Sequence, residues 1–193
     1  MEPHPGDLIQ LRAAVAAGKK DLRGLSLGEI DGLDLDLSEC NLDGSCFKEA
    51  RFGHASLRGA HAHGCCFQQA LIWGADLSDL DASSSYWHEA DLSGSRLQGA
   101  NFSHALMHRC CLRGVVAAGS QWQSARLVEA DFRSGLDQLT DLGCADFSGA
   151  DLSFALLQGA NLQGCDLRDA DLRGCDLRDT QLQDAQMEGA LID

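Results

Sequence analysis

From Leu22 onward an apolar side chain returns every fifth residue: Leu22, Leu27, Leu37, Leu42, Phe47, Phe52, Leu57 and on to Ile192. Of the 35 positions in this phase, 30 are Leu, Phe, Ile, Met or Trp, so the exceptions Gly32, Ala62, Ala82, Ala117 and Asp137 stand out. Two residues before each centre the side chain is small. One residue before it Asp or Asn recurs, as in Asp91, Asn101, Asp151, Asn161 and Asp171. Two residues after it glycine takes 14 of 34 places, which marks that position as a corner.

A period of five excludes both regular elements. On an α-helix five residues turn through roughly 500°, which would spread the leucines over every face. On a flat strand an odd period would place successive leucines on opposite sides. The chain therefore turns once per repeat, with the small and the large residue both pointing inward. Such a short, strict repeat predicts a solenoid whose coils stack and whose single repeats are not stable alone. Residues 7–18, DLIQLRAAVAAG, read differently: a short helix with Asp7 as N-cap, Gly18 as stop, and Leu8, Leu11 and Val15 near one face. It is expected to cap the first coil and hide its strand edges. The organisation expected is thus a capping segment over 1–19 and a repeat unit over 20–193.

The repeat, clearest from Ala145 to Asp179 as Ala-Asp-Leu-x-Gly, resembles the A(D/N)LxX motif of the pentapeptide-repeat family over residues 20–192. That resemblance implies an all-β solenoid: a right-handed quadrilateral parallel β-helix with four repeats per coil and almost nine coils. It also implies that the residue before each centre points outward. More distantly the chain is similar to the quinolone-resistance members, acidic rods that mimic DNA and bind DNA gyrase or topoisomerase IV. Those members typically pair through a C-terminal helix, which this sequence lacks.

Four repeats per coil stack residues twenty apart, so the surface can be mapped. One outward column then reads Asp36, Ser56, Asp76, Arg96, Val116, Leu136, Leu156 and Asp176. Its run Val116, Leu136, Leu156, with Leu139 nearby, is expected to form an apolar stripe of the kind that marks a partner site. Leu71, Trp73 and Tyr86 make smaller apolar spots. Asp131, Asp151 and Asp171 are expected to stack as an acidic ladder beside Arg113, Arg133 and Arg173, a candidate surface for mimicry of a phosphate rod. At the far end Leu182, Met187 and Ile192 would line an exposed last coil, which predicts an end-to-end homodimer.

Charge and cysteine content narrow the function. With 15 Lys and Arg against 29 Asp and Glu, the formal net charge is −14, which argues against direct binding to nucleic acid or an anionic membrane. No 18-residue apolar run and no signal-peptide pattern is present, and nine cysteines without a CxxC pair fit a reducing cytoplasm. Cys40, Cys65, Cys110, Cys165 and Cys175 fall on the small inward position as apolar fillers. His61, His63, Cys65 and Cys66 look like metal ligands, but the repeat phase points them in different directions. Cys46 and Cys66 should be stacked outward neighbours. Trp87 and Trp122 each follow an Ala centre, which keeps core volume even. Asp137 at a centre would bury an unpaired carboxylate, so a bulge or loop is expected between Ser134 and Leu142. No nucleophile–base–acid set, metal site or cofactor loop emerges. The expectation is a non-enzymatic rod that binds a protein partner through its faces, a type II topoisomerase being the alternative partner.

Overall fold

The repeat closes a tight turn after every centre. In the turn from Leu37 to Cys40 the Cys40 amide donates to the Leu37 carbonyl at 3.1 Å, and the third residue, Glu39, has φ 59°. A positive φ at that place is the signature of a type II turn. The computed structural model describes residues 6–135 and 138–193, and the same conformation recurs two residues after each centre from Gly24 to Gly189, save at Ser134 and Leu139. Fourteen of these corners are glycine, but eighteen carry another residue, such as Glu39, Ser84 and Phe154. Glycine therefore suits the corner without being required there.

Sixteen of those eighteen corners are held by hydrogen bonds between coils, Asp179 and Asp184 lying in the last coil. Centres below the last coil donate to the next one, nineteen residues on as in Leu22 to Asn41 at 2.8 Å or twenty-four across the loop as in Ala117 to Asp141 at 2.7 Å, and corner amides do likewise, as in Gly24 to Asp43 at 3.0 Å. The outward residue returns the bond, as Asn41 does to the Lys20 carbonyl at 2.7 Å. The result is four ladders of parallel bridges, beginning Asp21↔Asn41, Ser26↔Cys46, Asp31↔Arg51 and Asp36↔Ser56. We call the four sides A, B, C and D in that order.

Asp and Asn recur before the centre because their side chains cap the turn. The Oδ1 of Asp36 accepts from the Ser38 amide at 2.9 Å, and Asp91, Asn101, Asp151 and Asn161 do the same for the residue two places on. Each such bond satisfies an amide that the ladders leave over.

Inside, the centres and the small residues fill the coil completely. Trp87 and Trp122 are fully buried, as expected, and each gives its indole N–H to a serine, Ser85 at 2.5 Å and Ser120 at 2.6 Å. Each serine in turn donates to the carbonyl of the preceding Ala centre, Ala82 or Ala117. Phe47, Phe67 and Trp87 stack in one column, and Phe102, Trp122 and Phe147 in another. The Phe52 ring occupies the space Gly32 leaves empty, where a Cβ would come within 2.5 Å of it. The inward cysteines do more than fill. Cys65, Cys110 and Cys165 donate their thiols to the carbonyls of Leu42, Trp87 and Leu142, and burial pushes the Cys65 and Cys165 pKa values up to about 12.

The one α-helix among the described residues, α1 (Leu8–Ala16), starts where Asp7 accepts from the Gln10 amide at 2.8 Å. It ends with Gly18 at φ 78° bonded to Val15. Leu11 is buried in the core, with Ala14 and Val15 packed against it. At the other end Leu177, Leu182 and Met187 are only partly covered, and Ile192 is 51% exposed.

The register corrects one expectation. Val116 pairs with Asp141 and Asp131 with Leu156, twenty-five residues apart instead of twenty. One pentapeptide is extruded after Phe132, so every later residue sits one side away from its sequence-counted place.

Gly119 isolates the cost of the corner, since it has φ 69° and nothing within 4 Å of an added Cβ. Gly119→Ala should lower stability by about 1 kcal/mol. Ser84→Gly should leave it unchanged or raise it. Urea unfolding midpoints of the two variants would check both.

Candidate interaction site at one corner of the solenoid

The extruded segment lies at the corner between sides C and D. Its two legs are tied down by hydroxyls. The Ser134 Oγ donates to the Gly159 carbonyl at 2.8 Å and accepts from the Thr140 amide at 3.1 Å. Buried Thr140 accepts from the Gly114 amide at 2.8 Å and donates to the Arg133 carbonyl. Gln138 rests against Gly114, where a Cβ would come within 3.4 Å of its carbonyl oxygen. A loop between Ser134 and Leu142 was expected, and this is its construction. Leu136 and Asp137 themselves lie outside the described residues.

The loop leans back over the preceding coils and helps to make a groove of about 460 Å³. Gly74, Gly94, Ala55 and Ala75 give it a smooth floor, while His54, Ser56, Asp76, Arg96, Val116 and Gln138 stand around it. Further along the same corner Leu33 and Trp73 are exposed and converge over Gly53. A Cβ on Gly53 would come within 2.7 Å of the indole and 3.1 Å of Leu33. The His54 ring is laid over Gly74 in the same way and meets Trp73 edge to face at 4.5 Å. Two glycines thus let two rings pack closely against the backbone beside the groove.

The sequence-derived stripe does not survive the register shift. Val116 lines the groove, between Arg96 and Asp141. Leu156 sits on side C between Asp131 and Asp176. Leu139 is 63% exposed on the loop, next to the groove residue Gln138. Leu33 was missed because it looked like an ordinary turn residue. So was Phe154, 61% exposed over Gly174 on another corner.

The acidic ladder is divided as well. Asp131 remains on side C above Cys111, whereas Asp151 and Asp171 follow Arg126 on side B. Their carboxylates are engaged locally. Arg133 grips Asp131 through Nε at 2.9 Å and Nη2 at 2.7 Å, and Arg173 grips Asp171 through Nε at 2.9 Å and Nη2 at 2.5 Å. Arg168 and Arg178 hold Asp166 and Asp176 likewise. The Arg173 and Arg178 side-chain bonds bring the Asp171 and Asp176 pKa values down to about 2. Burial alone would raise Asp131, but the Arg133 bonds outweigh it and the net shift is downward.

Among the described residues no group of three or more His, Cys, Asp or Glu is placed to hold a metal ion. Cys46 and Cys66 do stack in register on side B, both as free thiols. Among the described residues no helix is long and apolar enough to cross a membrane.

The family model for pentapeptide repeats matches residues 36–74, 75–114, 140–169 and 155–192, with eight copies. The chain belongs to the pentapeptide-repeat family. The matches break between 114 and 140, where the structure extrudes its loop. Among solved structures, this pentapeptide-repeat chain is similar to HetL from the cyanobacterium Nostoc sp. strain PCC 7120, described as involved in heterocyst differentiation regulation. Identity is 25%, coverage 96% of this chain and 97% of HetL, and the TM-score 0.50. It is also similar to trypsin-treated QnrB1, a plasmid-mediated fluoroquinolone resistance protein, with 19% identity, 90% and 82% coverage, and a TM-score of 0.51. That second likeness concerns the fold alone. No curated protein sequence matches the chain.

The Asp–Arg pairs set an acid limit. A carboxylate whose folded pKa lies below its unfolded value of about 3.9 stabilises the fold above that pH and ceases to as pH falls toward 2. Urea midpoints should therefore be flat down to pH ~4.5 and then drop. In Asp171→Asn with Asp176→Asn the drop should be shallower.

Proposed function

We propose that this protein is a non-enzymatic binding module: a rigid right-handed quadrilateral rod of about eight and a half coils, roughly 40 Å long at the usual strand spacing. It engages a protein partner along the corner between sides C and D. One observation carries the reading. Exposed Leu33 and Trp73, the His54 ring, the groove and loop residue Leu139 all belong to a single corner of the rod. Apolar side chains gathered at one place favour a protein contact over solvation. The loop residue Gln138 adds a wall to the groove beside them. The protein works in the cytoplasm, in keeping with nine free cysteines. Its half-open last coil, with Leu182, Met187 and Ile192, is the place where a second copy would pair.

A photo-crosslinking residue at position 139 tests the corner. In cells of the source organism it should give one discrete protein adduct, and the same residue at Ser124, on the corner between sides A and B, should give none. Equal adducts at both positions would overturn the reading.

The second reading is mimicry of DNA toward a type II topoisomerase, favoured by the net charge of −14 and by stacked carboxylates such as Asp146 with Asp166 and Asp151 with Asp171. Against it, these carboxylates cap their own turns. A docking held by charge weakens steeply with salt. In a gyrase supercoiling assay over a salt series, the binding-module reading expects no salt-sensitive inhibition or rescue from a fluoroquinolone at ~50 µM protein. Either effect would make mimicry the better account.

A further inference from the structure

The corner's chemistry specifies more than an apolar contact, because most of the arginines elsewhere on the rod are already engaged. Arg23, Arg133, Arg168, Arg173 and Arg178 are each clamped to the Asp two residues before them. Arg109 is paired with Glu129, Arg113 lies 3.7 Å from Asp131, and Arg12 donates to the Leu33 carbonyl. The guanidinium of Arg96 has no ion pair or side-chain hydrogen bond among the described residues; Arg51, Arg58 and Arg126 share that property, but Arg96 is the one of the four that lines the groove. Asp76 is its neighbour in the side D column, yet Asp76 accepts from the Ser78 amide at 3.0 Å and forms no ion pair with Arg96.

The surroundings of Arg96 suit a ligand's carboxylate. A guanidinium offers a planar fork of donors that matches a carboxylate in two parallel bonds. Val116 and the overhanging Gln138 shield one flank, and a partly enclosed ion pair is stronger than one on an open face. The floor of Gly74, Gly94, Ala55 and Ala75 lets a main chain approach closely. About two coils away, Trp73 and Leu33 converge over Gly53 and offer an apolar platform whose inner edge is His54. Groove and platform together fit an extended peptide with a carboxylate two or three residues from an apolar side chain.

We propose that the groove is a peptide-binding site that takes a partner segment bearing an Asp or Glu side chain, its carboxylate on Arg96 and a nearby apolar side chain against Trp73. The proposal rests on the binding-module reading above and names the chemistry of its partner. The net charge of −14 makes the site selective: an acidic segment is repelled over most of the rod and accepted at Arg96.

The test uses nuclear magnetic resonance of the full chain and three pentapeptides: acetyl-Gly-Leu-Ala-Glu-Gly-amide and its Gln and Lys counterparts. The Glu peptide should shift the Arg96 Nε–H and Trp73 indole N–H signals together by ~5 mM peptide. The Gln and Lys peptides should leave Arg96 unmoved. Arg96→Gln should weaken the Glu peptide's effect on Trp73 about tenfold, with the buried Trp87 and Trp122 signals unchanged as proof of an intact fold. No Arg96 shift with the Glu peptide, or an equal shift with the Gln peptide, would overturn the proposal. The position-139 crosslink separates the two claims. An adduct that persists in Arg96→Gln, together with a failed peptide titration, removes the carboxylate and keeps the corner. Loss of the adduct in Arg96→Gln supports both, and absence of any adduct in the parent chain removes both.

Discussion

Everything in this molecule depends on the parallel backbone ladder between coils. Below the last coil, centres and corners donate their amides to the following coil, and outward residues donate back. Because the bonds join residues about twenty apart, no coil satisfies its own backbone, and stability accrues only as neighbours stack. The ladder also holds sixteen of the eighteen non-glycine corners at positive φ, a conformation costing roughly 1–2 kcal/mol each without such support. Corner strain and coil stacking are therefore two sides of one constraint.

That constraint divides the side chains between structure and surface. The small inward residue is Ala where only space is needed, and Ser, Thr or Cys where a buried carbonyl can take a second donor, as Cys65 does for Leu42. The Asp and Asn residues, which give the chain much of its acidity, are largely turn caps, and the Arg residues two places on are largely their counter-ions. Acidity here is first a device of the fold. What remains for recognition is the minority of side chains outside these roles: Leu33, Trp73, His54, Leu139 and Arg96.

The loop after Phe132 is where the regular fold yields to something built. Extruding one pentapeptide costs the ladder little, because Ser134 and Thr140 restore the missing bonds with their hydroxyls. The extrusion brings Gln138 over the side of the solenoid and helps to make a concave surface there. It also rotates every later residue by one side, which joins Leu156 to Asp131 and parts Asp131 from Asp151.

Much of this was legible in the chain itself. The five-residue period fixes which residues face inward, because any other phase would bury the Asp and Asn positions. The Asp7 cap and Gly18 stop locate the helix for local reasons that need no tertiary contact. Asp137 announced a break, since a carboxylate cannot sit at a buried centre unpaired. The direction and size of that break were not legible. Whether one pentapeptide is bulged or wholly extruded depends on hydroxyl bonds to Gly114 and Gly159, residues far away in sequence. A count of twenty therefore read the surface correctly up to Asp131 and wrongly beyond it. The rings beside the groove were also beyond sequence, for Trp73 and His54 are placed by glycines one coil away, Gly53 for the one and Gly74 for the other. Local periodicity decides inside from outside; only the stacking of coils decides which outward residues meet.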